Sequence, residues 1–568
     1  MPLTNALTKR HLSTQKAHKP HFHDNCIVDP SFLANPPSGW NQNPSQLGFV
    51  GVATIDNVLA LGCPGNTTQP NYGGDQYSGQ VVLYRLNTDP SNYKTTSTIL
   101  HILDNPAVND ASIYNRQAHF GKQVALTEAG GYMWLIVAAP NHGLQAGTTN
   151  NAPKIYIYRS SDKFATAPTV YQTLTPWTAF NSNYARMRFK HQMDAHNDYF
   201  VVGSEEYSNG AGITQLYQLQ SGSWTAVQYR TNSYSDQWSG WAVSCQANTR
   251  DSNLAQYGYG APLGARVQPS SNLGNQGVVQ TFFANSNGLR TAIAGSNASD
   301  NLGSGFAMNY DTIAYSWAGA DYNSQTDVGR VYIVQHGGLS RATLDHPHAD
   351  DHTNLNYISL RHIYSDHQGS GTSNPGKYLV HWDTIEQDWN LYALYDEFGR
   401  CLGTWNRPGA DPNQFPSYGT NEWDWSEEAA ISADYMVLTS YQLGTQRRRA
   451  HVFRLSPLPI FNITVTNSGN AYRMTGSDRN GTINSNTNNP QLNFAVGDQI
   501  NFTIDSNTYN SHPFYIKNFP SNGSSNQVTN PSATGNGTTS ISWTPTGART
   551  AYYQCSVHYG MYRQIIVS

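Results

Sequence analysis

At 568 residues the chain is too long for one small β-sandwich and predicts two or more domains. Hydrophobic residues make up 38%, aromatics 12% and charged residues only 12%, with 48 Gly and 28 Pro, a composition that excludes a disordered or long-helical chain and points to an all-β fold. A formal net charge of -4 gives no electrostatic case for nucleic acid or an anionic membrane, and no apolar run of about 18 residues offers a membrane span.

Residues 1–30 predict an extended N-terminal arm. Here His11, His18, His21 and His23 alternate with Lys9, Arg10, Lys16 and Lys19, without hydrophobic periodicity. The segment lacks the apolar core of about 7–15 residues that a secretory signal needs, so the expectation is a chain made without an export signal.

Residues 31–456 carry a weak internal repeat. In its second copy, His119-Phe-Gly-Lys-Gln-Val-Ala-Leu126 precedes Trp134-Leu-Ile-Val-Ala-Ala-Pro140 and then Lys154-Ile-Tyr-Ile-Tyr158. The first copy shows Leu59-Ala-Leu-Gly-Cys-Pro64 and Gly79-Gln-Val-Val-Leu-Tyr84, and later ones are anchored at Tyr199, Tyr257, Thr312, Leu391 and Tyr435, seven in all. These copies resemble the FG-GAP repeat of integrin-type β-propellers. The resemblance implies a seven-bladed β-propeller, whose blades close into a ring and so remove their sheet edges. Copies recur every 50–75 residues or so, more than a minimal blade of about 40, which implies long loops on one face.

Integrin blades bind calcium through an acidic loop, and the nearest approach to it is Asp321-Tyr-Asn-Ser-Gln-Thr-Asp327, so calcium is not expected. Asp345-His-Pro-His-Ala-Asp-Asp-His352 offers a weaker second metal candidate in His346, His348 and His352, of the kind that holds zinc or another divalent ion. Cys26, Cys63, Cys245 and Cys401 stand far apart without CxxC pairs and read as single buried thiols. No nucleophile elbow, Walker loop, HExxH or dinucleotide fingerprint occurs, and a non-enzymatic role is the expectation.

After a stiff connector, Ser456-Pro-Leu-Pro459, residues 460–568 alternate apolar and polar side chains as in a β-sandwich, for instance through Val496-Gly-Asp-Gln-Ile-Asn-Phe502. Near the end, Cys555, His558 and Met561 are spaced by three. Thiolate and thioether suit Cu(I) and imidazole tolerates both oxidation states, so this trio favours redox-cycling copper, with His512 in Ser511-His-Pro-Phe514 as the candidate fourth ligand.

Together VGDQINF, SHPFYIK and YYQCSVHYGM resemble the cupredoxin family. That resemblance implies a Greek-key β-sandwich with one type 1-like copper held by His512, Cys555, His558 and Met561. The His-to-Met spacing is shorter than in many electron-transfer cupredoxins. Multicopper oxidases flank the copper Cys with His, whereas Gln554 and Ser556 stand here, and no second Cys serves a binuclear centre. A mononuclear site remains, either passing one electron or purely structural.

The stretches TGSDRNGTI, NNPQLNF and SHPFYIK are also similar to a domain of structural proteins of marine viruses and phages. This resemblance implies a virion component, such as a minor capsid, spike or tail-associated protein. Its partners would be other virion or surface proteins, or a host surface glycan or receptor. Two alternatives stand beside it. One is a copper electron-transfer protein with a docking propeller, in the domain order of nitrous oxide reductase. The other is a secreted adhesin or glycan-binding protein, whose 36 Tyr and 13 Trp could stack on sugars.

Overall fold

The structure, a computed structural model, describes residues 26–28, 50–64, 79–86, 98–107, 118–140, 153–176, 193–205, 211–231, 239–247, 255–262, 276–286, 288–295, 300–320, 329–336, 338–345, 358–367, 376–384, 391–399, 401–406, 423–442, 448–455, 460–494, 498–529, 532–545 and 549–567. His346, His348 and His352, the acidic loop at 321–327 and residues 1–25 of the expected arm lie outside the described residues. The chain divides into two compact units, Met1–Leu455 and Ser456–Ser568.

The first unit contains, among the described residues, seven four-stranded antiparallel sheets. Six of them take four consecutive strands, spanning 51–104, 123–174, 193–231, 242–294, 302–344 and 358–406. The seventh combines three strands from 423–454 with a fourth from the other end of the chain: Cys26–Val28 pairs antiparallel with Arg448–Arg454, Ile27 opposite His451. In each sheet the leading strand packs against the leading strand of the next, and that of the seventh packs against that of the first. The array is thus closed on itself, and the N-terminal strand adds a second, hydrogen-bonded closure.

The apolar core follows the same plan. Seven buried clusters each join two neighbouring sheets, the last joining Leu59, Leu61 and Val82 of the first sheet to Val437 and Val452 of the seventh. Successive side chains of a strand point to opposite faces. Accordingly Trp134, Ile136 and Ala138 enter the cluster with the third sheet, while Leu135, Val137 and Ala139 enter the cluster with the first. Both faces are buried, and for that reason the strand Tyr132–Ala139 reads as a continuous apolar run.

Where sheets cross, glycines let backbone touch backbone. A Cβ on Gly62 would stand 1.8 Å from the Gly121 carbonyl oxygen, one on Gly203 2.4 Å from that of Gly240, and one on Gly260 2.0 Å from that of Gly303. Gly121 also has φ +86, a conformation that L side chains rarely adopt.

In the second unit, two four-stranded sheets share one core. Tyr472–Thr475, Ile460–Asn467, Gln499–Ile504 and Ser540–Trp543 form one; Leu492–Phe494, Tyr562–Val567, Arg549–Cys555 and Phe514–Lys517 form the other. Strand Ile460–Asn467 alternates exposed and buried residues, so here only one face of the sheet is covered. Asp498 of the VGDQINF stretch is fully buried and ion-paired with Arg479, whose guanidinium donates to both carboxylate oxygens at 2.9 and 2.5 Å.

Candidate metal centre

Strand register brings the proposed donors together. Phe514 lies opposite Cys555, so the residues just before the first strand and just after the second must meet. Ser556 N–H donates to the Pro513 carbonyl at 3.0 Å, and His512 precedes that proline. A short helix, Ser506–Ser511, leads into the site. The Asp505 side chain caps it by accepting from the amides of Asn507 and Thr508, and His512 ends it with an N–H bond to the Thr508 carbonyl. On the other side, Cys555 N–H donates to the Met561 carbonyl at 3.0 Å and Met561 N–H to the His558 carbonyl at 3.1 Å, folding 555–561 into a compact loop.

As a result His512 Nδ1 and His558 Nδ1 stand 3.0 Å apart, and Cys555 Sγ lies 3.9 Å from the first and 3.6 Å from the second. A single point inside this triangle is about 2.1 Å from all three atoms, close to the metal–nitrogen and metal–thiolate bond lengths of about 2.0–2.3 Å. The three separations therefore suit one metal ion shared by all three atoms. Met561 is fully buried in the same apolar cluster as Cys555.

The surroundings suit a charged sulfur. Val557 and His558 N–H groups both point at Cys555 Sγ, each at 3.4 Å. His512 is only 7% exposed; burial, then the neighbouring His558, lowers its pKa and favours the neutral ring that can ligate. Two features escaped sequence reasoning. The Tyr472 hydroxyl, wholly buried, donates to the His512 carbonyl at 2.8 Å. Gln554, considered in the sequence only for not being histidine, spreads its amide beneath the loop.

The first unit has a polar cluster of its own. A cavity of about 150 Å³ is lined by the leading strands of all seven sheets. At its edge His367, which follows the sixth sheet's leading strand with a left-handed φ of 54°, reaches across to the third and fourth sheets. Its Nε2 meets Asp194 Oδ1 at 3.0 Å and its Nδ1 meets Gln246 Oε1 at 3.2 Å. Asp194 also accepts from Ser244 Oγ at 2.6 Å and from Cys245 N–H at 2.9 Å. The ring of His196 stacks on His367 at 4.9 Å; burial, then the His367 charge, holds its pKa down to about 3.

Burial opposes charge on both partners of this bridge, yet Asp194 lifts the His367 pKa above its ordinary value. In turn His367, Ser244 and Cys245 hold Asp194 below the ordinary carboxylate range. A raised histidine stabilises fully below its unfolded value of about 6.5 and loses that contribution as pH rises through its folded value. A depressed aspartate contributes above its unfolded value of about 3.9 and loses that as pH falls through its folded value. The bridge thus stabilises most between about pH 4 and 6.5. Asp194→Asn is expected to cost about 1–3 kcal/mol there and less at pH 9, measured by urea unfolding at both pH values; an equal cost at both would remove the charge from the explanation.

Cys63 and Cys245 are buried and Cys401 half-buried, all unpaired thiols, and burial pushes the pKa of each up.

No family model matches the chain, and no curated protein matches it. Among solved structures, the chain is similar to the β-propeller domain of the Trilobed protease from Pyrococcus furiosus, at 7% identity and TM-score 0.38, covering 72% of this chain and 92% of that one. It is also similar to prolyl oligopeptidase B from Galerina marginata, at 12% identity and TM-score 0.34, covering 73% of this chain and 48% of that one. Likenesses this low carry nothing about activity.

Proposed function

We propose that the second unit is a cupredoxin-type Greek-key module that holds one copper ion between His512 Nδ1, His558 Nδ1 and Cys555 Sγ. The observation that carries this reading is the convergence of those three atoms on one point at bonding distance. Two imidazoles and a thiolate in trigonal array, with a thioether for a long axial bond, form the donor set of mononuclear blue-copper sites, whereas structural zinc takes four strong ligands in a tetrahedron. Met561, fully buried in the same apolar cluster as Cys555, would be the fourth residue of the set. Copper held there would supply one-electron chemistry, or serve as a structural clip. The protein's own part is to hold the two rings and the thiol in register, to direct two amide dipoles at the sulfur, and to exclude water with the apolar core around Cys555.

The closed array of seven sheets supports a seven-bladed β-propeller as the scaffold of the first unit, and the repeat in the sequence supports its FG-GAP type. The weakly charged composition and the similarity to viral structural domains support a non-enzymatic virion component, whose propeller grips other particle proteins or a host surface glycan or receptor. Purified particles should then contain the chain in fixed stoichiometry, and particles without it would refute the placement. Electron transfer is the second reading, favoured by the exposed Val557 and Tyr559, at 58% and 60%, on either side of His558. For the copper reading, native mass spectrometry of the full chain should find one copper per chain, and a far smaller copper-bound fraction at the same copper concentration once Cys555 is serine.

A further inference from the structure

We propose that Gln554 is the positioning residue that holds the loop 555–561 in its ligand-ready form before any metal arrives. The proposal deepens the copper reading and rests on it for its purpose, although the clamp itself is a property of the metal-free chain.

Gln554 precedes the thiol on strand Arg549–Cys555, paired with Tyr515 on one side and Tyr562 on the other. Side chains alternate along a strand, so Tyr553 and Cys555 enter the apolar core while Gln554 faces the other way, under the loop. The loop has no regular hydrogen-bond ladder of its own, and buried carbonyls need donors from elsewhere. Gln554 supplies them: its Nε2 lies 3.1 Å from the Cys555 carbonyl oxygen, 3.0 Å from that of His558 and 3.2 Å from that of Tyr559.

These three acceptors, with the Met561 carbonyl oxygen a fourth at 3.5 Å, fix that end of the amide as the NH2, whose two protons are shared among them. The other end is revealing. Gln554 Oε1 is buried and has no hydrogen-bond partner among the described residues, and the residue as a whole is fully buried. A buried acceptor left unpaired is costly, so packing alone would be better served by an apolar side chain. What the glutamine adds at this place is its nitrogen. Because the His558 carbonyl also receives the Met561 N–H, one clamp fixes the backbone of two candidate ligands, and the Cys555 carbonyl ties the third.

The test uses the full chain with Gln554→Leu, which keeps bulk and removes the donors. In the metal-free protein, amide hydrogen exchange at His558, Tyr559 and Met561 is expected to speed up by about tenfold or more, while strand Ile460–Asn467 keeps its protection. After copper is added, the thiolate charge-transfer band and the copper EPR hyperfine splitting should shift from those of the parent. Should the leucine variant unfold the whole unit, Gln554→Met serves instead, since its flexible thioether fills the same space and likewise offers the carbonyls no donor. Loop exchange unchanged in whichever of the two variants folds overturns the proposal whatever copper does. If the parent takes up no copper while the leucine variant still loosens the loop, the copper reading fails and the positioning role stands.

Discussion

Cys555→Ser is expected to abolish the visible thiolate-to-copper band of the copper-loaded chain and to weaken copper retention by well over the roughly 100-fold that loss of an outer-shell partner costs. Serine is nearly isosteric, and its hydroxyl can accept the Val557 and His558 N–H groups that now point at sulfur. The fold should therefore lose only about 1 kcal/mol, visible as a small change in thermal midpoint. What disappears is the soft anionic ligand. The two imidazoles, with Nδ1 atoms 3.0 Å apart, would remain as a weak site of a different colour. Absorption and EPR spectra of parent and variant at equal copper loading decide the matter, and a band that survives in the serine variant would exclude Cys555 as a ligand.

Gly260→Ala is expected to destabilise the first unit by about 3 kcal/mol or more. The new Cβ would sit 2.0 Å from the Gly303 carbonyl oxygen, 2.9 Å from its carbonyl carbon and 3.1 Å from its Cα, all backbone of the neighbouring sheet. No side-chain rotation relieves this contact, and parting the strands would open the buried cluster that includes Ala242, Leu302 and Phe306. Gly338→Ala makes a useful control: its φ is +92, yet nothing lies within 4 Å, so only backbone strain of about 1–2 kcal/mol is expected. Urea unfolding of the two variants separates the effects. A Gly260→Ala protein within 0.5 kcal/mol or so of the parent would mean that the sheets do not touch there.

The glycines show what the sequence could and could not disclose. Phe120-Gly121, Leu61-Gly62 and Gly79 stand out as recurring letters, and the strand pattern around them is readable because burial imposes it residue by residue. Their reason is not readable, since it lies in a crossing between sheets: Gly79 bridges to Phe120, and Gly62 faces Gly121. The contrast between the unbroken apolar run of Tyr132–Ala139 and the strict alternation of Ile460–Asn467 likewise follows from one covered face or two.

Other elements left no local mark. Strand Cys26–Val28 is three residues long and pairs with the far end of the unit, so neither period nor propensity could announce it. Helix Ser506–Ser511 is built of Ser, Asn, Thr and Tyr, poor helix formers, and only the capping Asp505 hints at it. His367 and Asp194 meet over a separation of 173 residues. At the candidate centre, Cys555, His558 and His512 were legible because metal ligation admits few residue types. The clamp of Gln554 and the Tyr472 bond to the His512 carbonyl were not, because many donors can serve a carbonyl and register alone decides which one does.

X-ray absorption at the copper edge, on the full chain loaded with one equivalent of copper, tests the central claim most directly. Two imidazole nitrogens at about 2.0 Å and one sulfur at about 2.2–2.3 Å are expected, a trigonal shell matching the separations of His512, His558 and Cys555. A shell of nitrogen and oxygen alone, without sulfur, would contradict it.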